Sequence, residues 1–319
     1  MGRAQFGGAN SMFDNIVELK SITKKYPGIT ALSNLNLFIR KGSIHGLVGP
    51  NGAGKTTTMK ILTGLIPPTS GEVKLNYKSV GLLSELPPLY QMMKVRAYLK
   101  FVGEIYGVSK KEIDQRVIDI SELCGVSKNL DRLIKNLSKG NKQKVGIAAA
   151  LVHSPELIVL DEPVVGLDPS AIQEIRELLI GLKERHTIII SSHLLHEIQK
   201  CCDYVTFIKD GQSIKSLSID EIVTSSIDVP TQVIDIEVLE WNQKIENELK
   251  NKFKIKSIQT LRKSDSHLIT IEIEKGKKDI RAEISSFIYA NGASLIGMNV
   301  KQHGLEEKFN EINKGGLNI

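Results

Sequence analysis

Residues 49–57 read Gly49-Pro50-Asn51-Gly52-Ala53-Gly54-Lys55-Thr56-Thr57, preceded by the strand-like stretch Ser43–Val48 and followed by a helix-like stretch from Lys55 to Thr63. Strand, glycine-rich loop and helix in that order fit the pattern G-x-x-x-x-G-K-[ST] with its required flanks. The glycines let backbone N–H groups converge on phosphate oxygens, and the helix N-terminus adds its partial positive charge. Lys55 is placed to reach the β and γ phosphates, and Thr56 to ligate Mg²⁺. All nine residues are therefore expected to bind a nucleoside triphosphate, with Lys55 also acting in catalysis.

A second element completes the phosphate chemistry. Leu157-Ile-Val-Leu160 is a continuous apolar strand that delivers Asp161 and Glu162 to its C-terminal edge, just before Pro163. Ligands of open α/β sheets bind at that edge. Asp161 suits Mg²⁺ through Thr56 or water, and Glu162 suits a general base that polarises the attacking water. An Asp-Glu pair buried with no cation nearby would be costly, so the strand end needs the loop.

Outward from these elements the chain reads as two domains. Residues 1 to about 14 are glycine-rich and unpatterned. β-like runs follow at Ile16–Ile22 and Ala31–Ile39, then the phosphate loop, then a mostly helical stretch over about 92–152. Apolar strands at Leu157–Leu160 and Thr187–Ile190 flank an amphipathic helix from Ser170 to about Arg185. Helices alternating with fully apolar strands indicate a parallel sheet covered on both faces. Near Ser225 the composition turns loop-like, and a new order begins. It runs strand 232–238, helix 242–252, strand 255–261, strand 267–274, helix 279–290, strand 294–300 and helix 305–314. The expected architecture is an α/β phosphate-loop NTPase core over 15–225, carrying an antiparallel β subdomain and a helical subdomain. A small α+β domain of ferredoxin-like order over 226–319 follows it.

Composition narrows the function classes. With 319 residues, 41% of them hydrophobic and 24% charged, the chain has ample material for buried cores. Its longest apolar candidate, Val145–Val152, stops at His153, far short of the roughly 18 residues that suggest a membrane helix. No hydrophobic secretory region opens the sequence, and Cys124, Cys201 and Cys202 lack disulfide or metal spacing, which points to a reducing, cytoplasmic setting. The formal charge of +6 lies wholly in residues 1–227, where 28 basic residues face 22 acidic ones. That bias favours a polyanion such as a nucleotide, nucleic acid or acidic lipid, and charge alone does not choose among them.

Further motifs carry a resemblance. Over about Ile16 to Ile222 the sequence is similar to the ATP-binding subunits of ABC transporters. Leu137-Ser138-Lys139-Gly140-Asn141-Lys142-Gln143 resembles the family's signature sequence, Gly166-Leu167-Asp168-Pro169 its dimer-contact loop, and Ser192-His193 its switch histidine. The resemblance implies that Ser138 and Gly140 close over the γ phosphate of ATP held by a second subunit in a head-to-tail dimer. It also implies that Asp168 lies at that contact, that His193 senses the γ phosphate and holds Glu162 or the water, and that Tyr26 stacks on adenine. Without that context Ser138 is simply a helix N-cap.

Three departures stand out. Glu85 occupies the place where the family usually has Gln, and it is taken as a residue facing Mg²⁺ and water. Lys139 and Asn141 replace the usual Gly and Gln of the signature, as in exporter members. The stretch from Gly71 to Glu85 is short, which suggests a trimmed antiparallel region. The tail, with Gly304-Leu305-Glu306-Glu307-Lys308-Phe309, resembles the C-terminal domain of bacterial multidrug, polysaccharide and gliding-associated export ATPases. The implied function is an ATP-hydrolysing subunit, with ATP and Mg²⁺ as cofactors, peripheral on the cytoplasmic face of the membrane. It would work as a homodimer or heterodimer with a separately encoded membrane permease and no nucleic acid. The alternative is a soluble ATPase of the same class acting on nucleic acid or the ribosome, and a binding module that has lost hydrolysis is disfavoured by intact Lys55, Asp161, Glu162 and His193.

Overall fold

A computed structural model describes residues 14–222, 231–263, 265–274 and 280–301. The chain divides into two units, Met1–Ile219 and Asp220–Ile319. The composition places this change near Ser225, whereas residues 219–222 are helical and Ile222 is buried.

The first unit opens on a hairpin of two long strands, β1 (Asn15–Tyr26) and β2 (Ile29–Arg40). Both outrun the apolar stretches that mark them in sequence. The polar segment Lys24-Lys25-Tyr26 continues the ladder because Tyr26 faces Ile29 across a turn in which Gly28 takes φ +78°. β3 (Ile44–Val48) leads through the phosphate loop into α1 (Lys55–Leu62). β4 (Ser70–Leu75) pairs with β1, giving an antiparallel sheet ordered β2-β1-β4, and β5 (Val80–Leu83) follows almost at once.

The helical region comprises α2 (Val95–Ile105), α3 (Ile113–Leu123) and α4 (Lys139–Leu151), with two short 3₁₀ turns at Ser127–Asn129 and Ile134–Asn136 between the last two. The apolar run Val145–Val152 is buried throughout, so its hydrophobicity serves helix packing. Gly81 permits this packing: a Cβ there would lie 2.1 Å from the Ala150 carbonyl oxygen. The remaining elements are β6 (Leu157–Asp161), α5 (Pro169–Leu182), β7 (Thr187–Ser192), α6 (Leu195–Cys201), β8 (Tyr204–Lys209) and β9 (Gln212–Ser218).

Six strands form the main sheet in the order β5-β6-β7-β3-β8-β9. Its first five are mutually parallel, and β9 closes the edge antiparallel to β8. The central β3, β6 and β7 contain only buried residues, which explains their mostly apolar sequence, and the polar exceptions His45, Asp161, Thr187, Ser191 and Ser192 are hydrogen-bonded. A shared core joins this sheet to the hairpin through Leu19, Leu37, Leu47, Met59, Val159 and Ile189. Each such side chain contributes about 1.5–3 kcal/mol when fully buried. The phosphate loop therefore sits beside this core, to which Ala53 of the loop itself belongs.

The second unit contains β10 (Thr231–Val238), α7 (Gln243–Lys252), β11 (Ile255–Arg262), β12 (His267–Glu274), α8 (Arg281–Ala290) and β13 (Leu295–Lys301). Its sheet is ordered β11-β12-β10-β13 with every pairing antiparallel. Alternate residues Ile234, Ile236, Val238 and Ile269, Ile271, Ile273 supply the core, together with Ile245, Leu249, Ile284 and Ile288 from the helices. Trp241 packs against this core, partly buried. The expected helix 305–314 and the motif at 304–309 lie outside the described residues.

One polar side chain in the main core has a measurable consequence. His45 on β3 shares a 2.8 Å hydrogen bond with Thr206 Oγ1 and lies beside the ring of Tyr204. Burial, helped by the Arg40 charge and opposed by Asp203, lowers its pKa to about 4. The unfolded chain takes up this proton near pH 6.5, while the folded chain resists it until about pH 4. The His45 contribution to stability is thus complete above the unfolded value and is lost as the pH falls through this window. Denaturant titrations should show a loss of about 2 kcal/mol from this group between roughly pH 7 and pH 5. His45→Gln should flatten that part of the profile.

Candidate active site

The loop at residues 49–54 is shaped by backbone requirements that side chains would violate. Gly54 sits at φ +103° directly before α1, and a Cβ on it would press to 2.5 Å from Leu32. Gly49 has even less room, with a virtual Cβ 2.2 Å from the Ile208 carbonyl oxygen. Lys55, the first helical residue, is buried, and its Nζ donates to Gly49 O at 2.7 Å and Pro50 O at 3.3 Å. An ammonium has three protons, so it can also meet a phosphate.

A cleft of about 500 Å³ opens over this loop. It is lined by residues 50–57 together with Glu85, Asp161, Glu162 and His193, drawn from the ends of three different strands. Thr56 Oγ1 donates to Asp161 Oδ2 at 2.8 Å. Glu162 follows with φ +49°, a left-handed conformation unusual for a residue with a side chain. Its carboxylate lies 3.6 Å from Lys55 Nζ through Oε1 and 3.0 Å from His193 Nδ1 through Oε2. Both strand-end carboxylates are buried, and both are paired.

Two serines hold this geometry: Ser191, which the sequence reading passes over, and Ser192, which it names only as the residue before His193. Ser191 Oγ donates to Asp161 Oδ1 at 2.5 Å and accepts the Glu162 N–H at 2.9 Å. Ser192 Oγ accepts the Leu194 N–H at 3.0 Å, shaping the turn that presents His193. Their signal in sequence is only the dipeptide before the histidine.

Not every expected residue joins the cleft. Tyr26 is exposed at the end of β1, across the hairpin from the cleft-lining Ile29, with Lys24 Nζ over its ring at 5.4 Å. Ser138, Gly140 and Asp168 do not line the cleft either. Ser138 caps α4 by accepting the Asn141 N–H at 3.3 Å, and Asp168 caps α5 by accepting the Ala171 N–H at 3.0 Å. A Cβ on Gly140 would stand 3.1 Å from the Ala171 Cβ, so these two helix N-termini are neighbours.

Comparison with known proteins places this geometry. Residues 32–165 match the family described as ABC transporter. An uncharacterized ABC transporter ATP-binding protein of Bacillus subtilis is 35% identical over 94% of this chain and 97% of its own length. The bacitracin transport ATP-binding protein BcrA of Bacillus licheniformis is 31% identical over 94% of this chain and 98% of its own. Among solved structures, a dimeric ATP-binding cassette in a post-hydrolysis state with ADP and Pi is 25% identical with a TM-score of 0.59, covering 64% of this chain and 98% of that one. The phosphate loop, the paired strand-end carboxylates and a likeness extending along nearly the whole chain show that it belongs to the ABC transporter ATP-binding proteins, and ATP hydrolysis is its activity.

Proposed function

We propose that this chain powers a bacterial membrane exporter, with ATP closing a head-to-tail dimer and hydrolysis reopening it. The observation that carries the transport reading is the likeness to a bacitracin transport protein over 94% of this chain, which includes the C-terminal unit and not only the ATPase. That unit's strand-helix-strand-strand-helix-strand order and antiparallel sheet support a ferredoxin-like reading, with a role in stabilising or regulating the dimer.

The cleft supports a role for each residue. Backbone N–H groups of 51–57 and the α1 N-terminus bind the phosphates, and Lys55 neutralises charge on the β and γ groups. The oxygens of Thr56 and Asp161, 2.8 Å apart, are hard donors of the kind Mg²⁺ takes alongside phosphates and water, and Glu85 faces the same space. Mg²⁺ bound there would supply charge stabilisation as the terminal phosphoryl group leaves. Glu162 accepts the proton of the attacking water, with His193 holding its second oxygen in line. Tyr26 is the candidate adenine-stacking residue. Ser138, Gly140 and Asp168 serve the partner's nucleotide.

Among the described residues no helix is long and apolar enough to cross a membrane, so the work is assigned to a separate integral membrane permease and this chain to the cytoplasmic face. The surface favoured for that partner follows Glu85. On that loop Leu89 is half-buried, whereas Leu86 is 84% and Met92 70% exposed. Tyr90 packs against Tyr98 and Phe101 and extends the apolar face. The double variant Leu86→Glu, Met92→Glu is expected to keep basal hydrolysis within about twofold. It should lose co-purification with a candidate membrane permease from the same genome when both are expressed together and extracted in detergent. Wild-type protein that ignores that partner and instead sediments with ribosomes at physiological salt would favour the soluble alternative.

A further inference from the structure

The residue joining the two halves of the catalytic geometry is Ser191. It stands near the end of β7, the strand lying between β6 and β3, opposite Asp161 on one side and Leu47 on the other. Its side chain has no exposed surface. The backbone ladders on both sides therefore fix where its hydroxyl sits.

A hydroxyl has one proton to give and lone pairs to receive with. An N–H can only donate, so the Glu162 amide at 2.9 Å must be received, and the single proton goes to Asp161 Oδ1 at 2.5 Å. That second contact is a short, charge-assisted bond of the stronger kind. It fixes the rotation of the Asp161 carboxylate and leaves Oδ2 turned to Thr56. The first contact ties down the amide of a residue held at φ +49°, a conformation that persists only where its surroundings over-determine it. From that backbone the Glu162 carboxylate reaches His193 and Lys55.

We propose that Ser191 is a positioning residue for ATP hydrolysis, orienting Asp161 for the cation and Glu162 for the water through one hydroxyl. The inference rests on the roles given above to Asp161 and Glu162. It predicts coupled defects: removing the hydroxyl frees the carboxylate and the amide together, although Ser191 is buried and does not line the cleft. Groups that orient a metal ligand from behind typically change affinity or activity by about 10–100-fold when removed.

The test uses the full chain and the variants Ser191→Ala, Ser191→Thr and Ser191→Cys. Ser191→Ala is expected to lower kcat at least about tenfold and to raise the half-saturating Mg²⁺ concentration about tenfold. Affinity for a fluorescent ADP analogue should stay within about twofold when measured without Mg²⁺, since the phosphate loop is untouched, but the gain in affinity on adding Mg²⁺ should shrink. Ser191→Thr keeps the hydroxyl and should recover most of both. If Ser191→Ala does not fold, Ser191→Cys decides, because a thiol of similar size is a poor donor and should show the same Mg²⁺ defect. Wild-type Mg²⁺ dependence in a folded Ala or Cys variant overturns the inference, as does a loss of activity that tracks thermal stability alone. Full hydrolysis by Glu162→Gln would instead unseat the role of Glu162, so the two failures are separable.

Discussion

Glu162→Gln is expected to bind ATP, to hydrolyse it at least about a hundredfold more slowly than the wild type, and to accumulate as a dimer on gel filtration in Mg-ATP. The amide keeps the size and planarity of the carboxylate, so its contacts with Lys55 and His193 retain much of their geometry. What is lost is the basic oxygen. General-base assistance is typically worth about 10²–10⁴ in rate, and no other carboxylate in the cleft is poised in the same way. Asp161 is engaged by Thr56 and Ser191, and Glu85 lies on an exposed loop. On the proposed cycle, in which hydrolysis reopens the dimer, the closed state should persist. A Gln variant with wild-type turnover would show that another group positions the water.

Lys55→Ala should remove turnover by a different route. The ammonium is buried at the mouth of the loop, bonded to two carbonyls and 3.6 Å from Glu162, so its loss removes the one Lys or Arg among the described residues lining the cleft and strips Glu162 of that counter-charge. Charge-assisted hydrogen bonds of this kind are worth about 1.5–3 kcal/mol, which corresponds to roughly 10–100-fold weaker nucleotide binding, with turnover reduced below detection. Equilibrium titration with a fluorescent ATP analogue separates the two variants: Glu162→Gln retains affinity and Lys55→Ala does not. Full turnover in Lys55→Ala would remove the loop from the phosphate site.

Much of this was legible because the signals are local. A loop of the type 49–57 needs its strand before it and its helix after it, and all three are contiguous in the chain. Leu157–Asp161 is apolar because both faces of its sheet are covered, and the alternation of Ile234, Ile236 and Val238 records a sheet covered on one face. Features set by pairing partners were hidden. The continuation of β1 through Lys24 and Lys25 depends on β2 and on the two-residue turn, not on side-chain polarity. Ser191 carried no visible role because its partners, Asp161 and Glu162, are thirty and twenty-nine residues away in sequence and adjacent only through the β6–β7 register. The burial of Leu89 beside an exposed Leu86 could not be read from a run of similar residues, since it is decided by which side chain turns under the loop.

The close approach of Gly140 to Ala171 has a further meaning for assembly. The caps Ser138 and Asp168 belong to helices far apart in the chain, yet their spacing is set by bare contact, 3.1 Å from a virtual Cβ on Gly140 to the Ala171 methyl, with the Lys144–Glu174 ion pair beside it. A partner subunit would therefore meet both caps as one gauge of fixed width. Its calibration depends on a missing methyl group: any side chain at 140 would widen the gauge while leaving both polar caps chemically intact. On the proposed dimer, the fit of that composite surface thus depends on what Gly140 lacks as well as on what its backbone donates.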